Sequence, residues 1–407
     1  MNQVWCPLPW LSQNIRSDGN MRVCDHSHQG SANGVLRKPD GGIFNGLKDS
    51  IAVARNSPTL MQARRDMLDG TWPACCTRCK DESMSGIKSR NLMERELWQE
   101  QISYESAKEH TAADGSIELD TWPIRHYELS LGNRCNLKCR SCGPQASHQW
   151  YEDYVNLWGS TKFKDLSHDV DIVVHEDGRY TLRDDPYGWY DSALFFEHLR
   201  DNAGNIKHIH LGGSGEPLLL DNQYRILELC VDAGISGNVI IEYNSNIMKI
   251  PPKAWRLWQQ FKEVRIGASI DGIGAMNEYI RHPSKWSVIT QNLSRFDTSH
   301  DIRFNVWIAG TLMIYNVWYM PEMLEWFMLQ RYNRIGWTQG FPLIYFHPLS
   351  RPAHLSPRLL PQHIKQRVVD KYAASADRLV NMAREMYGDE DPRRDTLIKG
   401  IPANLTK

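Results

Sequence analysis

The sequence predicts an α/β fold: a partial (β/α)6 barrel, preceded by a small cysteine-bearing domain and followed by a helical tail. Three observations carry this expectation. From residue 126 onward, short apolar runs alternate with helical stretches, the signature of a parallel βα fold. Glycine-rich or polar residues follow the ends of those runs, where a βα barrel builds its site. Eight of the nine cysteines fall in two clusters, which argues for metal rather than disulfides.

The predicted strands are 126–131, 206–211, 239–243, 264–269, 303–309 and 341–346, and six strands make a barrel open on one side. The second ends in Gly212-Gly-Ser-Gly215-Glu216-Pro217, the third in Asn244-Ser-Asn246 and the fourth in Ile270-Asp271-Gly272. A glycine-rich strand end leaves backbone N–H groups free and lets a ligand approach closely. A helix follows the first strand, to about Trp158. Residues 159–190 interrupt the alternation and read as an inserted surface element, with a hairpin over 171–182 turning at Asp177-Gly178. The barrel therefore covers 126–350. In the tail, 351–407, Val368, Val369, Tyr372 and Leu379 mark one helix over about 362–387. Cys230, among Leu227, Leu229 and Val231, reads as a core thiol.

Residues 1–125 form the small domain and its linker. Asp18-Gly19-Asn20 between apolar flanks is a hairpin signal and sets Cys6 and Cys24 on or beside its arms. Residues 57–70 read as a helix that stops at Gly70. Residues 81–100 read as another. The stretch 103–121 is polar and reads as a linker.

The chain has 407 residues and a formal net charge of −1, so there is no electrostatic case for a nucleic-acid partner. Fifteen tryptophans suit aromatic-lined pockets as well as cores. The N-terminus lacks the basic and apolar regions of a signal peptide, and the apolar stretch 307–320 is too short for a membrane span. The clustered cysteines point to a reducing, cytoplasmic compartment.

The chemistry is concentrated in Cys135-Asn-Leu-Lys-Cys139-Arg-Ser-Cys142-Gly-Pro, a C-x3-C-x2-C loop directly after the first strand. Three thiolates on one short loop converge on one point, and thiolate is the natural ligand of iron–sulfur clusters and zinc. Three is one short of a closed site. A [4Fe-4S] cluster held this way keeps one iron for a ligand that is not protein. A zinc knuckle or a set of buried thiols is the alternative. A second set, Cys6, Cys24, Cys76 and Cys79, makes a four-thiolate site in which Cys76 and Cys79 have the C-x2-C spacing of a shared metal. A structural zinc ribbon competes with a cluster there, and Cys75 competes with Cys76 as a ligand. His26 and His28 read as residues of a polar loop with Gly30.

The C-x3-C-x2-C loop, with Asn136 after its first cysteine and Gly143-Pro144 after its last, resembles the cluster loop of radical S-adenosylmethionine (SAM) enzymes. One departure is Ser141, where many members carry an aromatic residue. The resemblance implies that Cys135, Cys139 and Cys142 hold a [4Fe-4S] cluster whose open iron binds SAM and cleaves it to a 5′-deoxyadenosyl radical. Gly212 to Pro217 resembles the family's GGEP element, which implies SAM contacts from Gly213, Gly215 and Glu216; Ser214 interrupts the usual pair of glycines. Asn244 and Asn246, Ser269 and Asp271, and Arg281 in Tyr279-Ile-Arg281 fall where the family carries residues near the ribose and carboxylate of SAM. The N-terminal cysteines, with Gly19 to Cys24 as Gly-x4-Cys, resemble the SPASM/twitch extension and imply an auxiliary [4Fe-4S] cluster. That extension follows the barrel in the best-known members and precedes it here. The implied substrate is a peptide or protein side chain, with RNA or a small carbinol as alternatives and a zinc-stabilised, non-enzymatic scaffold as the rival class. The implied electron donor is flavodoxin- or ferredoxin-like.

Overall fold

The computed structural model describes residues 3–28, 34–85, 88–165, 168–336, 344–349 and 351–405. Its strands are β1 (Ser12–Ile15), β2 (Met21–Arg22), β3 (His126–Leu129), β4 (Lys162–Asp165), β5 (His168–Val174), β6 (Tyr180–Leu182), β7 (His208–Leu211), β8 (Ile240–Ser245), β9 (Glu263–Ser269), β10 (Phe304–Leu312) and β11 (Ile344–Pro348). The chain divides into two compact units.

The first unit contains residues 1–134, 144–241 and 260–262. Its strand order is β2-β1-β3-β7, and the start of β8 follows. The β1/β3 and β3/β7 pairs are parallel, with Glu128 opposite both Asn14 and His210. The expected hairpin is present, with β1 antiparallel to β2. Gly19 turns it at φ +78°, a conformation that costs glycine nothing, and the Asp18 carboxylate accepts from Asn20 N at 3.1 Å. The sequence did not disclose that β1 also joins β3, so the expected boundary at residue 125 does not separate the N-terminal segment from the barrel strands.

The helix Pro58–Leu68 forms as expected, capped by the Ser57 side chain, with Gly70 past its end at φ +74°. Its Arg64 is turned inward and fully buried, donating to the Pro9 carbonyl at 2.8 Å and the Arg55 carbonyl at 2.7 Å. A buried guanidinium needs such acceptors, and these hold the chain just after Cys6. The single helix expected over 81–100 is instead two, Thr77–Met84 and Arg90–Trp98. The expected linker 103–121 contains the helix Tyr104–Glu109, started by a reciprocal Ser103/Ser106 capping box. Trp5, Trp10, Met67, Trp98 and Trp122 pack with Cys6 and Cys24 in one apolar cluster. The insertion is a three-stranded antiparallel sheet, β4-β5-β6, turning at Gly178. Its inner face packs Phe163, Val170 and Ile172 against Tyr151 and Tyr187.

The second unit contains residues 135–143, 242–259 and 263–407. Its strand order is β8-β9-β10-β11, with β9/β10 and β10/β11 parallel. Strand β8 belongs to both units: Ile240 N–H donates to the Lys207 carbonyl at 2.9 Å in the first, and its later residues lie beside β9 in the second. Neighbouring strands follow chain order, as in an open βα barrel. Residues 341–343 of the expected sixth strand lie outside the described residues; the strand is seen from Ile344. Trp255, Trp258, Phe296 and Phe304 form the aromatic core behind the strands. The helix Gln362–Met386 packs through Lys371, which donates to the Trp318 carbonyl at 2.7 Å and pairs with Glu322 at 2.6 Å. A final helix, Pro392–Leu405, was not expected. Among the described residues, no helix is long and apolar enough to cross a membrane.

Candidate iron–sulfur and cofactor sites

The C-x3-C-x2-C loop lies in the second unit and is pinned by backbone bonds to the segment after β9. Lys138 N donates to the His282 carbonyl at 2.7 Å, and Arg140 N to the Ile280 carbonyl at 2.8 Å. Cys142 N closes a turn onto the Cys139 carbonyl at 3.0 Å. Leu137 N points at the Cys135 sulfur at 3.4 Å, the contact an amide makes to a thiolate. Cys139 is buried, while Cys135 and Cys142 are half-exposed. The Cys139 thiol is lowered, first by the hydrogen bond from Cys142 and further by the Arg281 guanidinium; Cys142, as the donor, is raised.

Two strand ends hold this loop. After β8, Asn246 donates to Asn136 Oδ1 at 2.8 Å and lies 3.9 Å from the Cys135 sulfur. The next residue, Ile247, sits at φ +51°, strained for a β-branched side chain. The Ser245 hydroxyl and Asn292 amide fasten it, at 3.0 and 2.7 Å. After β9, Asp271 is fully buried and pairs with Arg281, Nε to Oδ2 at 2.8 Å. Its Oδ1 also accepts from Thr311 N at 2.7 Å. Burial lowers the Arg281 guanidinium, but Asp271, Cys139 and Cys142 outweigh it and leave its pKa raised. Asn277 and Asn316 complete the anchorage, bonding the Asp271 N–H and carbonyl at 3.0 and 2.8 Å. Sequence reasoning missed both; the signal was a buried-type asparagine a few residues beyond a strand end. Asn244 is exposed and Ser269 half-buried at their strand ends.

The glycine-rich loop lies in the first unit. Gly213 and Gly215 have φ of +88° and +72°. A Cβ on Gly215 would stand 2.8 Å from the Arg134 carbonyl, and one on Gly213 would stand 2.9 Å from Ser130 Oγ, so both positions require glycine. Glu216 N donates to the Arg134 carbonyl at 2.8 Å. The Glu216 carboxylate is 2% exposed and caps the turn Pro217–Leu219 through Leu218 N at 3.4 Å.

The second cysteine set lies entirely in the first unit, where Cys6, Cys24, Cys76 and Cys79 line one cavity with Trp72, Met67 and Arg90. Cys75 does not line it; its sulfur lies 3.8 Å from that of Cys76. The secondary structure explains the convergence. Cys6 precedes the turn Leu8–Leu11, Cys24 follows β2, and Cys76 and Cys79 straddle the start of Thr77–Met84. Burial pushes the thiols of Cys6, Cys24 and Cys79 up, and Cys76 is raised by its bond to Cys75 and by burial. Three buried thiols and the half-buried Cys76 suit a group that supplies positive charge when they deprotonate. Arg90 reaches this cavity and forms an ion pair with Glu128 of β3 and another with Glu94 at 3.1 Å. His26 sits closer to the cysteines than its polar-loop reading implies: His26, Cys79 and Glu82 have ligand atoms within 4.8 Å of one another, the only such trio among the described residues. Glu82 is also held by Arg78 at 2.8 Å. All nine cysteines are free thiols.

Among the described residues, the loop offers three thiols and the cavity four, donor sets of the type a [4Fe-4S] cluster uses. A cluster spreads its ligands farther than one ion does, so the tight His26–Cys79–Glu82 trio and the four-cysteine set are different kinds of site.

No family model matches the chain, and no curated protein matches it. Solved structures do. "Native anSMEcpe with bound AdoMet and Cp18Cys peptide" is 13% identical, with a TM-score of 0.39 over 63% of this chain and 60% of that one. "Native anSMEcpe with bound AdoMet" is 14% identical, with a TM-score of 0.40 over 64% and 61%. SuiB of Streptococcus suis is 12% identical, with a TM-score of 0.34 over 77% and 61%. The chain spans about 60% of the length of these proteins.

Proposed function

We propose that the chain is a radical SAM enzyme. The observation that carries this is the Cys135–Cys142 loop, pinned to Ile280 and His282 beyond β9 and braced by Asn246, with three thiols on one loop and a half-buried cation, Arg281, in the field of Cys139 and Cys142. Cys135, Cys139 and Cys142 would hold a [4Fe-4S] cluster, which when reduced supplies one electron to cleave SAM to a 5′-deoxyadenosyl radical that takes hydrogen from a substrate carbon. The chain's own work is to leave one ligand position open, to brace the loop, and to offer Glu216, Gly213 and Gly215 toward the amino group of SAM. Asn244 and Asn246 would serve its ribose, and Ser269 its ribose or carboxylate. The Arg281–Asp271 pair positions the loop and keeps positive charge near its thiolates. Cys6, Cys24, Cys76 and Cys79 would hold an auxiliary [4Fe-4S] cluster. A peptide or protein side chain is the favoured substrate, as the resemblance of the N-terminal cysteines to a SPASM/twitch extension implies.

A second reading rests on His26, Cys79 and Glu82, a trio whose spacing suits one zinc ion. Anaerobic purification with iron, sulfide and zinc counts separates the two. The proposed function expects a brown protein with about eight irons. Stoichiometric zinc at the N-terminal site, in protein from iron-replete cells, overturns the auxiliary cluster.

A further inference from the structure

One face of the sheet in the first unit is polar. The registers set Arg22 of β2 opposite Asn14 of β1, Asn14 opposite Glu128 of β3, and Glu128 opposite His210 of β7, so the four residues share that face. The other face carries Tyr127, bonded to His198 and Asn202 at 2.9 and 2.8 Å. Arg16 directly follows β1, at the strand end where a βα barrel builds its site.

Arg22 differs from the other buried arginines. It is 2% exposed, and its Nε and Nη1 are buried without a hydrogen-bond partner among the described residues. Arg55 and Arg64 are as deeply buried, but Arg55 donates to the Trp122 carbonyl at 3.0 Å and Arg64 to the Pro9 carbonyl at 2.8 Å. Arg16, with its side chain 11% exposed, also has a buried Nη1 without a partner; its other nitrogens face Asp165 at 3.5 Å and Asp18 at 4.0 Å. Those acids have further donors of their own: Asp18 accepts from Asn20 Nδ2 at 2.8 Å and Asp165 from the Tyr187 hydroxyl at 3.1 Å. Glu128, on the same face, is paired with Arg90. Burial, and then Arg16, bring the Arg22 pKa down to about 10 against the opposing fields of Asp18, Asp25 and Asp165. A buried guanidinium without acceptors is costly, and a second one beside it adds repulsion that an anion between them relieves. The guanidinium fork matches the paired oxygens of a carboxylate or a phosphate.

We infer that Arg22 and Arg16 form an oxyanion site that takes a carboxylate or phosphate group. Arg22 is two residues from Cys24, so the anion is held beside the auxiliary cysteines. That the group belongs to the substrate rests on the proposed function, which it narrows to substrates bearing such a group.

The test titrates anaerobically prepared, full-length protein with inorganic phosphate and with glutarate in a calorimeter, at constant ionic strength and with chloride as the reference. At least one probe should bind the parent saturably where chloride does not, and the probe that binds names the group. Arg22→Met should weaken that binding by about tenfold or more, the loss expected for a charge-assisted bond. Arg22→Lys, which keeps the charge but not the fork, should weaken it less. In chloride alone, urea melts should find Arg22→Met at least as stable as the parent, since it removes a buried charge that has no acceptor. The inference is overturned if neither probe outdoes chloride, if Arg22→Met binds as the parent does, or if Arg22→Met fails to fold, which would make Arg22 a structural cation. The titration contains no SAM, so a parent that binds a probe but forms no 5′-deoxyadenosine with SAM and dithionite counts against the proposed function and leaves the oxyanion site standing.

Discussion

Arg281 and Asp271 hold each other, Nε to Oδ2 at 2.8 Å, and Arg281 stands between Ile280 and His282, whose carbonyls pin the cysteine loop. Asp271 is fully buried and already serves Thr311 N. Breaking such a pair from one side leaves an uncompensated charge inside the protein. Arg281→Met should therefore destabilise the chain by about 3–5 kcal/mol, and Arg281→Met/Asp271→Asn should recover part of that loss. Urea melts of the two variants check this; a single variant as stable as the parent contradicts the structural role.

The four-cysteine cavity distinguishes two neighbouring thiols. Cys76 lines it and Cys75 does not. Cys76→Ala should lose about four irons per chain, whereas Cys75→Ala should keep them, because a closed cluster needs all four of its thiolates. Iron counts after anaerobic reconstitution decide this, and the reverse pattern would exchange the two residues.

Glu216 is buried at the end of β7 and caps a turn. If it also accepts from the ammonium of SAM, the bond is charge-assisted and worth roughly 1.5–3 kcal/mol. Glu216→Gln should then weaken SAM binding by about tenfold to a hundredfold with iron content unchanged. Equilibrium dialysis with labelled SAM measures it, and parental affinity would leave Glu216 a cap alone.

His126 stacks on His208 at 4.5 Å, fully buried, and burial followed by the charge of His208 holds its pKa well below the usual value. The folded state therefore keeps it neutral while the unfolded chain protonates near pH 6.5. Below that pH the unfolded state binds more protons, so stability falls as pH falls. Each such site contributes a slope of about 1.4 kcal/mol per pH unit. His126→Phe should flatten the decline in unfolding free energy between about pH 6.5 and 5 by that amount. An unchanged slope would mean that His126 is charged in the folded protein.

The sequence carried the cysteine spacing, the strand ends and the long tail helix because each is a local pattern. It carried the hairpin of β1 and β2 but not the parallel pairing of β1 with β3, which spans more than a hundred residues. The helix Tyr104–Glu109 escaped because its capping box uses Ser106 where the usual signature has an acid. Arg64 reads as an exposed helix residue until its acceptors, the Pro9 and Arg55 carbonyls, are seen. Pro392–Leu405 contains Gly400 and Pro402, both poor helix residues. The bracing asparagines were visible as letters, but their partners lie on other strands.

The most direct test of the central claim is reductive SAM cleavage by the parent and by Cys135→Ala/Cys139→Ala/Cys142→Ala, prepared anaerobically with dithionite. The account predicts 5′-deoxyadenosine from the parent and none from the triple variant, which should stay brown with about four irons held by the N-terminal cysteines. Cleavage of SAM that survives in the triple variant would contradict it.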